Sequence, residues 1–163
     1  MKDTNGLYIV LAAGFSRRFG SSKLLHILPS GDTVISQTIK TIQTAACDFI
    51  VVVRDDDTPM LSHLSQQGYQ LIRVKNASKG LASVIAEASK QLSSLGIEWM
   101  GICLADMPYI HPNTFKELSL HASSSTIVRP QYLNKTGHPV LFGRNFFCRI
   151  EHLEGDDGAK SII

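Results

Sequence analysis

Residues 11–23 read Leu11-Ala12-Ala13-Gly14-Phe15-Ser16-Arg17-Arg18-Phe19-Gly20-Ser21-Ser22-Lys23 and place small side chains directly before three cations. Ala12, Ala13 and Gly14 leave the backbone bare, so its N–H groups can approach an anion, and Gly14 can take a positive φ. Arg17, Arg18 and Lys23 then bring positive charge, and an arginine can fork onto two phosphate oxygens at once. The combination suits a triphosphate; a plain loop with solvated charges has the same spacing. Asp106 is the second reactive group. It follows the apolar run Ile102-Cys103-Leu104-Ala105, and Pro108 stiffens the turn two residues later. A carboxylate at a strand tip can hold Mg²⁺ while substrate phosphates fill other positions around the ion. The alternative is a turn-forming aspartate ahead of proline.

Two familiar phosphate loops do not fit. The Walker pattern needs Lys directly after its second glycine, whereas Lys23 stands three places beyond Gly20. The dinucleotide pattern needs a second glycine two places after the first, where Ser16 stands. What remains resembles the L-A-A-G-x-S-x-R-x-G-x-x-K signature of the MobA-like nucleotidyltransferases, and among them the molybdenum cofactor cytidylyltransferases. Leu104-Ala105-Asp106-Met107-Pro108 resembles the family's L-x-D-x-P metal motif, and Gly137-His138-Pro139-Val140 its G-H-P-V. Gly155-Asp156-Asp157-Gly158-Ala159-Lys160 resembles G-D-x-G-A-R, with Lys160 in place of an arginine and so without the planar fork.

The resemblance implies a Rossmann-like three-layer α/β/α sandwich with a mostly parallel central sheet. It implies a Mg²⁺-dependent transfer of NMP onto the phosphate of molybdopterin, with release of pyrophosphate. Leu11, Ala12, Ala13, Gly14, Ser16, Arg18, Lys23, Asn76, Gly80 and Ser83 would then bind nucleotide. Arg18, Lys23 and Asp106 would be catalytic, Asp106 and Asp156 would hold the metal, and His138 and Lys160 would meet the acceptor. Guanylyl-transferring relatives carry Gly where Ala13 stands, which favours CTP over GTP. A molybdenum hydroxylase would be the partner that receives the product. Two other readings remain open: cytidylyl or uridylyl transfer to a sugar or isoprenoid phosphate, and a non-catalytic chaperone for the molybdenum cofactor.

The elements that must position these groups can be read from apolar patterning. Solid apolar runs at 7–12, 49–53, 69–74 and 100–105 predict buried strands, and short strands follow at 127–128 and 140–142. Ile35, Ile39, Ile42 and Ala46 share one helical face. Asp57 or Thr58 caps a short helix that turns Leu61 and Leu64 inward. Leu81, Val84, Ile85, Ala88, Leu92 and Leu95 form a long stripe that Gly96 stops, with Ser78 as a possible cap. Pro112 opens a helix burying Phe115 and Leu118, and Phe146, Phe147, Ile150 and Leu153 mark a last one that Gly155 ends. Strands alternating with helices predict a largely parallel sheet covered on both faces. Ligands in such sheets sit beyond the carboxyl ends of the strands.

Composition narrows the classes. A chain of 163 residues reads as one domain, 1–163. Relatives of this pattern continue past the last motif, so it reads as trimmed, naturally short or incomplete at its carboxyl end. The net charge of +2 is too small for a nucleic-acid footprint. No apolar run approaches the ~20 residues of a membrane span, and the polar start lacks a signal-peptide core. Cytoplasmic residence is the expectation. Cys47, Cys103 and Cys148 lie in apolar contexts without C-x-x-C spacing and read as reduced core residues. Asp55, Asp56 and Asp57 read as solvated loop charge, one of them free to cap a helix.

Overall fold

The computed structural model of the chain describes residues 5–15 and 22–163. In chain order these form β1 (Gly6–Leu11), α1 (Val34–Thr44), β2 (Phe49–Arg54), α2 (Thr58–Gln66), β3 (Leu71–Val74), α3 (Leu81–Leu92), β4 (Trp99–Leu104), α4 (Pro112–His121), β5 (Ile127–Val128), β6 (Gln131–Tyr132), β7 (Lys135–Thr136), β8 (Val140–Gly143) and α5 (Phe147–Ile150). The main sheet runs β3-β2-β1-β4-β8-β5. The first four of these strands are parallel, and β8 pairs antiparallel with both β4 and β5.

Side chains alternate across the pleat and build two cores. Leu7, Ile9 and Leu11 of β1 pack under α3 and α5, with Val84, Ile85, Leu92, Phe147 and Ile150. Tyr8 and Val10 face the other way, toward Ile35, Ile39, Met60, Leu64, Phe115 and Leu118 of α1, α2 and α4. The sheet is therefore the middle layer of three. Tyr8 ties two layers together. Its buried hydroxyl donates to the Phe115 carbonyl at 2.8 Å and lies 2.9 Å from Ser119 Oγ. Burial pushes that phenol above its ordinary range, so it stays a neutral donor in a bond of about 1 kcal/mol.

Local chemistry accounts for the helix starts. Thr33 accepts from the Ser36 N–H to cap α1, Asp57 accepts from Met60 to cap α2, and Pro sits at the first turn of α2 and α4. Several boundaries differ from the patterning. Ala46 lies past α1 with φ of 54°, and Ala45 takes the buried position. Met60 joins Leu64 as a fully buried residue, since helical phase from the Asp57 cap turns it inward, and Leu61 packs half-buried against the same core. Leu95 at the end of the long stripe is exposed because the helix stops at Leu92 and a 3₁₀ turn follows to Gly96, and Leu81 is partly exposed as the first residue of α3. Ser78 lies in a 3₁₀ turn and does not cap α3; Gly80 holds the cap position. The last helix is a single turn, and Gly155 lies beyond it in a loop with φ of 84°. The β6–β7 hairpin escaped the patterning because its residues are exposed and carry no apolar alternation. Of the cysteines, Cys103 is a core residue whose thiol burial pushes up to about 12, Cys47 is half-buried, and Cys148 is exposed.

Candidate functional site

Strand order creates the site. The chain steps β1, β2, β3 in one direction, with α1 and α2 on one face. It then crosses by α3 on the opposite face to β4, on the other side of β1. The reversal lies between β1 and β4, where an open parallel sheet leaves a crevice at its carboxyl edge. Leu11 and Leu104 are register partners, and the Ala105 N–H donates to the Leu11 carbonyl at 3.2 Å. Ala12 is likewise held, its N–H donating to the Val52 carbonyl at 2.8 Å. The small-residue loop and Asp106 therefore leave the sheet side by side.

A cleft of about 740 Å³ opens there. Leu11, Ala13, Gly14 and Phe15 form one wall and Leu104, Ala105 and Asp106 the next. Lys23 and Leu24 close one end, and Ala77, Gly80, Leu81 and Val84 bring in the start of α3. Asp156 completes the lining. The volume suits a nucleotide-sized ligand. Lys23 Nζ lies 3.0 Å from Asp106 Oδ2, with the two side chains 50% and 38% exposed. Both side chains are partly exposed to solvent.

Gly14 does not take the positive φ expected of it. Its bareness matters for space instead: a β-carbon there would meet nothing within 4 Å among the described residues, so the loop faces an open cleft. Gly80 behaves in the opposite way. At φ of 108° and ψ of 173° it occupies a conformation that side chains avoid, and a β-carbon would collide with the Asp156 carboxylate and the Gly155 carbonyl. The Ala82 N–H also donates to the Gly155 carbonyl at 2.9 Å. The glycine-rich segment 155–158 is thus fastened to the first turn of α3, which carries Asp156 to the cleft.

The remaining expected residues separate. Asn76 and Ser83 line a second, more polar groove of about 630 Å³ with Lys79, Glu87, Lys90 and residues 151–155. The Glu87 carboxylate holds the approach to it, accepting from the Lys75 and Asn76 N–H groups and from Asn76 Nδ2 at 2.9–3.1 Å. His138 is half-buried, with Nδ1 3.4 Å from the Ile102 carbonyl, and is absent from the cleft lining. Lys160 is exposed on the closing 3₁₀ turn, also away from the lining. Ser16, Arg17 and Arg18 lie outside the described residues.

The donor set fits a hard divalent cation. Asp106 and Asp156 bring carboxylate oxygens to one cleft. No three potential ligating side chains cluster among the described residues. Mg²⁺ is commonly held in this way, by one or two carboxylates with phosphates and water supplying the rest.

Two residues around these grooves escaped the sequence reading: Arg54, whose Nη1 donates to the Gly14 carbonyl at 3.3 Å, and Glu87. Arg54 had a signal in its position at the end of a strand on the ligand edge. Glu87 had none, because its partners precede it across a turn.

Comparison with known proteins bears out the fold and the family. The profile of the MobA-like NTP transferase domain matches residues 8–163. The purine catabolism protein PucB of Bacillus subtilis is 27% identical over 95% of this chain and 78% of its own length. A Mycobacterium avium protein named as a probable molybdenum cofactor guanylyltransferase is 26% identical over 72% of this chain and 57% of its own. Among solved structures, Rv0371c of Mycobacterium tuberculosis superposes with a TM-score of 0.85 at 24% identity, covering 99% of this chain and 83% of that one. Its complex with manganese superposes at 0.80 and 22% identity, covering 98% of this chain and 82% of that one.

Proposed function

Because this chain belongs to the MobA-like NTP transferase family and is a nucleotidyltransferase, we propose that it transfers CMP from CTP to the terminal phosphate of molybdopterin. The observation that carries the reading is the cleft itself. Bare backbone, Lys23 and the Asp106 and Asp156 carboxylates meet at the crevice between β1 and β4.

Each group has a defined task in such a transfer. The phosphate nucleophile is already ionised at neutral pH, so no general base is required, and the protein's work is positioning and charge neutralisation. Lys23 would take triphosphate oxygens, with Arg18 as the further cation implied by the family signature. Asp106, with Asp156, would hold Mg²⁺. The ion would neutralise charge on the phosphates when bound. Manganese in the Rv0371c complex supports a divalent ion at this fold. The apolar wall of Leu11, Leu81, Val84 and Leu104 would exclude water around the reacting phosphates.

Ala13 supports CTP over GTP. It borders the cleft with 2% of its surface exposed, so its methyl group would narrow the space beside the loop backbone only slightly. Such small steric differences amount to about 1–3 kcal/mol. Competition between CTP and GTP with molybdopterin as acceptor should favour CTP in kcat/KM, and Ala13→Gly should narrow the ratio without reversing it. Equal use of both nucleotides would remove the cytidylyl assignment. Transfer to a sugar or isoprenoid phosphate but not to molybdopterin would replace the acceptor. With molybdopterin as acceptor, the dinucleotide product would pass to a molybdenum hydroxylase.

A further inference from the structure

We infer that Arg54 is a positioning residue that aims the backbone of the phosphate loop at its ligand; the inference rests on the nucleotidyl-transfer reading. Arg54 ends β2, the strand beside β1, and its side chain is only 17% exposed. Its guanidinium is used on several sides. Nε donates to Asp56 Oδ1 at 2.9 Å, and Nη2 lies 3.9 Å from Asp57 Oδ2. Nη1 donates to the Gly14 carbonyl at 3.3 Å, and Cζ stands 4.0 Å from the centre of the Phe15 ring. Asp57 is itself fixed as the cap of α2, and the guanidinium holds the exposed Asp56 carboxyl below its ordinary range. Two carboxylates thus anchor a planar fork whose remaining edge and face grip residues 14 and 15.

The grip has a consequence for anion binding. The Gly14–Phe15 peptide is trans, so the Gly14 carbonyl and the Phe15 N–H point to opposite sides of one plane. Gly14 and Phe15 line the cleft and Arg54 does not. Drawing the carbonyl toward Arg54 therefore keeps its negative end off an incoming phosphate and turns the Phe15 N–H the other way. A phosphate loop needs that orientation, because anions accept from N–H groups and are repelled by carbonyl oxygens. Asp56 and Asp57, which read from the sequence as solvated charge with one of the run free to cap a helix, thereby act on the loop through Arg54. A lysine at position 54 would bring one point charge and could not serve carboxylate, carbonyl and ring together.

The test is steady-state NMP transfer and nucleoside triphosphate titration for Arg54→Met, Arg54→Lys, Phe15→Leu and Asp56→Asn beside the unmodified protein. Arg54→Met should raise KM for the triphosphate about tenfold, the scale of one charge-assisted hydrogen bond. Its kcat should stay within about threefold and its thermal midpoint close to the parent's. Arg54→Lys should fail to restore KM. Phe15→Leu and Asp56→Asn alter exposed side chains, so they keep the question answerable if Arg54→Met does not fold; each should raise KM by a smaller factor. Parent-like KM in Arg54→Met, or in both of the milder variants, overturns the inference. An unmodified protein that neither binds nor transfers nucleotide overturns the nucleotidyl-transfer reading instead.

Discussion

Lys23 and Asp106 hold each other at 3.0 Å beside the cleft, the cation proposed for phosphate next to the carboxylate proposed for metal. When a metal–triphosphate complex arrives, each can exchange this contact for a ligand of matching charge. Both are substantially exposed, so the pair contributes little to stability. Asp106→Asn keeps the shape and removes the charge. Turnover should fall at least ~10²-fold, as for loss of one transition-state stabiliser, with an unchanged thermal midpoint. Lys23→Ala should weaken triphosphate binding in a titration, whereas Lys40→Ala should not, since Lys40, on α1 and paired with Asp32 at 2.7 Å, does not line the cleft. Equal effects from the two lysine substitutions would reduce the loop to general electrostatics.

Packing between elements decides whether the acidic C-terminal loop reaches the cleft at all. Gly80 allows the 155–156 backbone to lie against the first turn of α3. Gly80→Ala should cost at least ~1–3 kcal/mol in urea denaturation, from its forbidden backbone conformation, and more from displacing Asp156. Activity should fall with it. Gly96→Ala is the matched control: its φ of 68° is also left-handed, but a β-carbon there meets nothing within 4 Å. That change should cost only about 1–2 kcal/mol and leave transfer rates alone. A Gly80→Ala protein as stable and active as the control would separate the loop from the site.

At the scale of the whole molecule, the carboxyl edge of one sheet gathers chemistry from residues far apart in the chain. Gly14, Gly80, Asp106 and Asp156 come from four separate segments, and the reversal between β1 and β4 makes room among them. Ligand bound across such a junction should resist unfolding of the whole sheet. In thermal denaturation, CTP with Mg²⁺ at 100-fold excess over its dissociation constant should stabilise by about 2.7 kcal/mol. CTP with chelator, or Mg²⁺ alone, should shift the midpoint far less, because each leaves part of the charge in the cleft uncompensated. Identical shifts with and without Mg²⁺ would remove the carboxylates from nucleotide binding. No helix among the described residues is long and apolar enough to cross a membrane.

Strand and helix order was legible because buried parallel strands are continuous apolar runs and amphipathic helices repeat at 3.6 residues, both local properties. The cleft positions of Ala13, Gly14 and Asp106 were legible for the same reason: each follows such a run, and the rule for open sheets places strand ends at the ligand edge. Ala12, by contrast, packs into the core beneath α1 and does not line the cleft. Contacts between distant segments have no local period. The separation of Asn76 and Ser83 from Gly80 depends on the direction in which each leaves the first turns around α3. The placement of His138 outside the cleft depends on antiparallel β8 returning beside β4. The hold of Arg54 on Gly14 spans 40 residues of chain, and that of Gly155 on Ala82 a longer stretch still. Residue type and spacing along the chain therefore determined which groups could do chemistry. Only the crossing of α3 and the return of the chain at Gly155 decided which of them share one cleft.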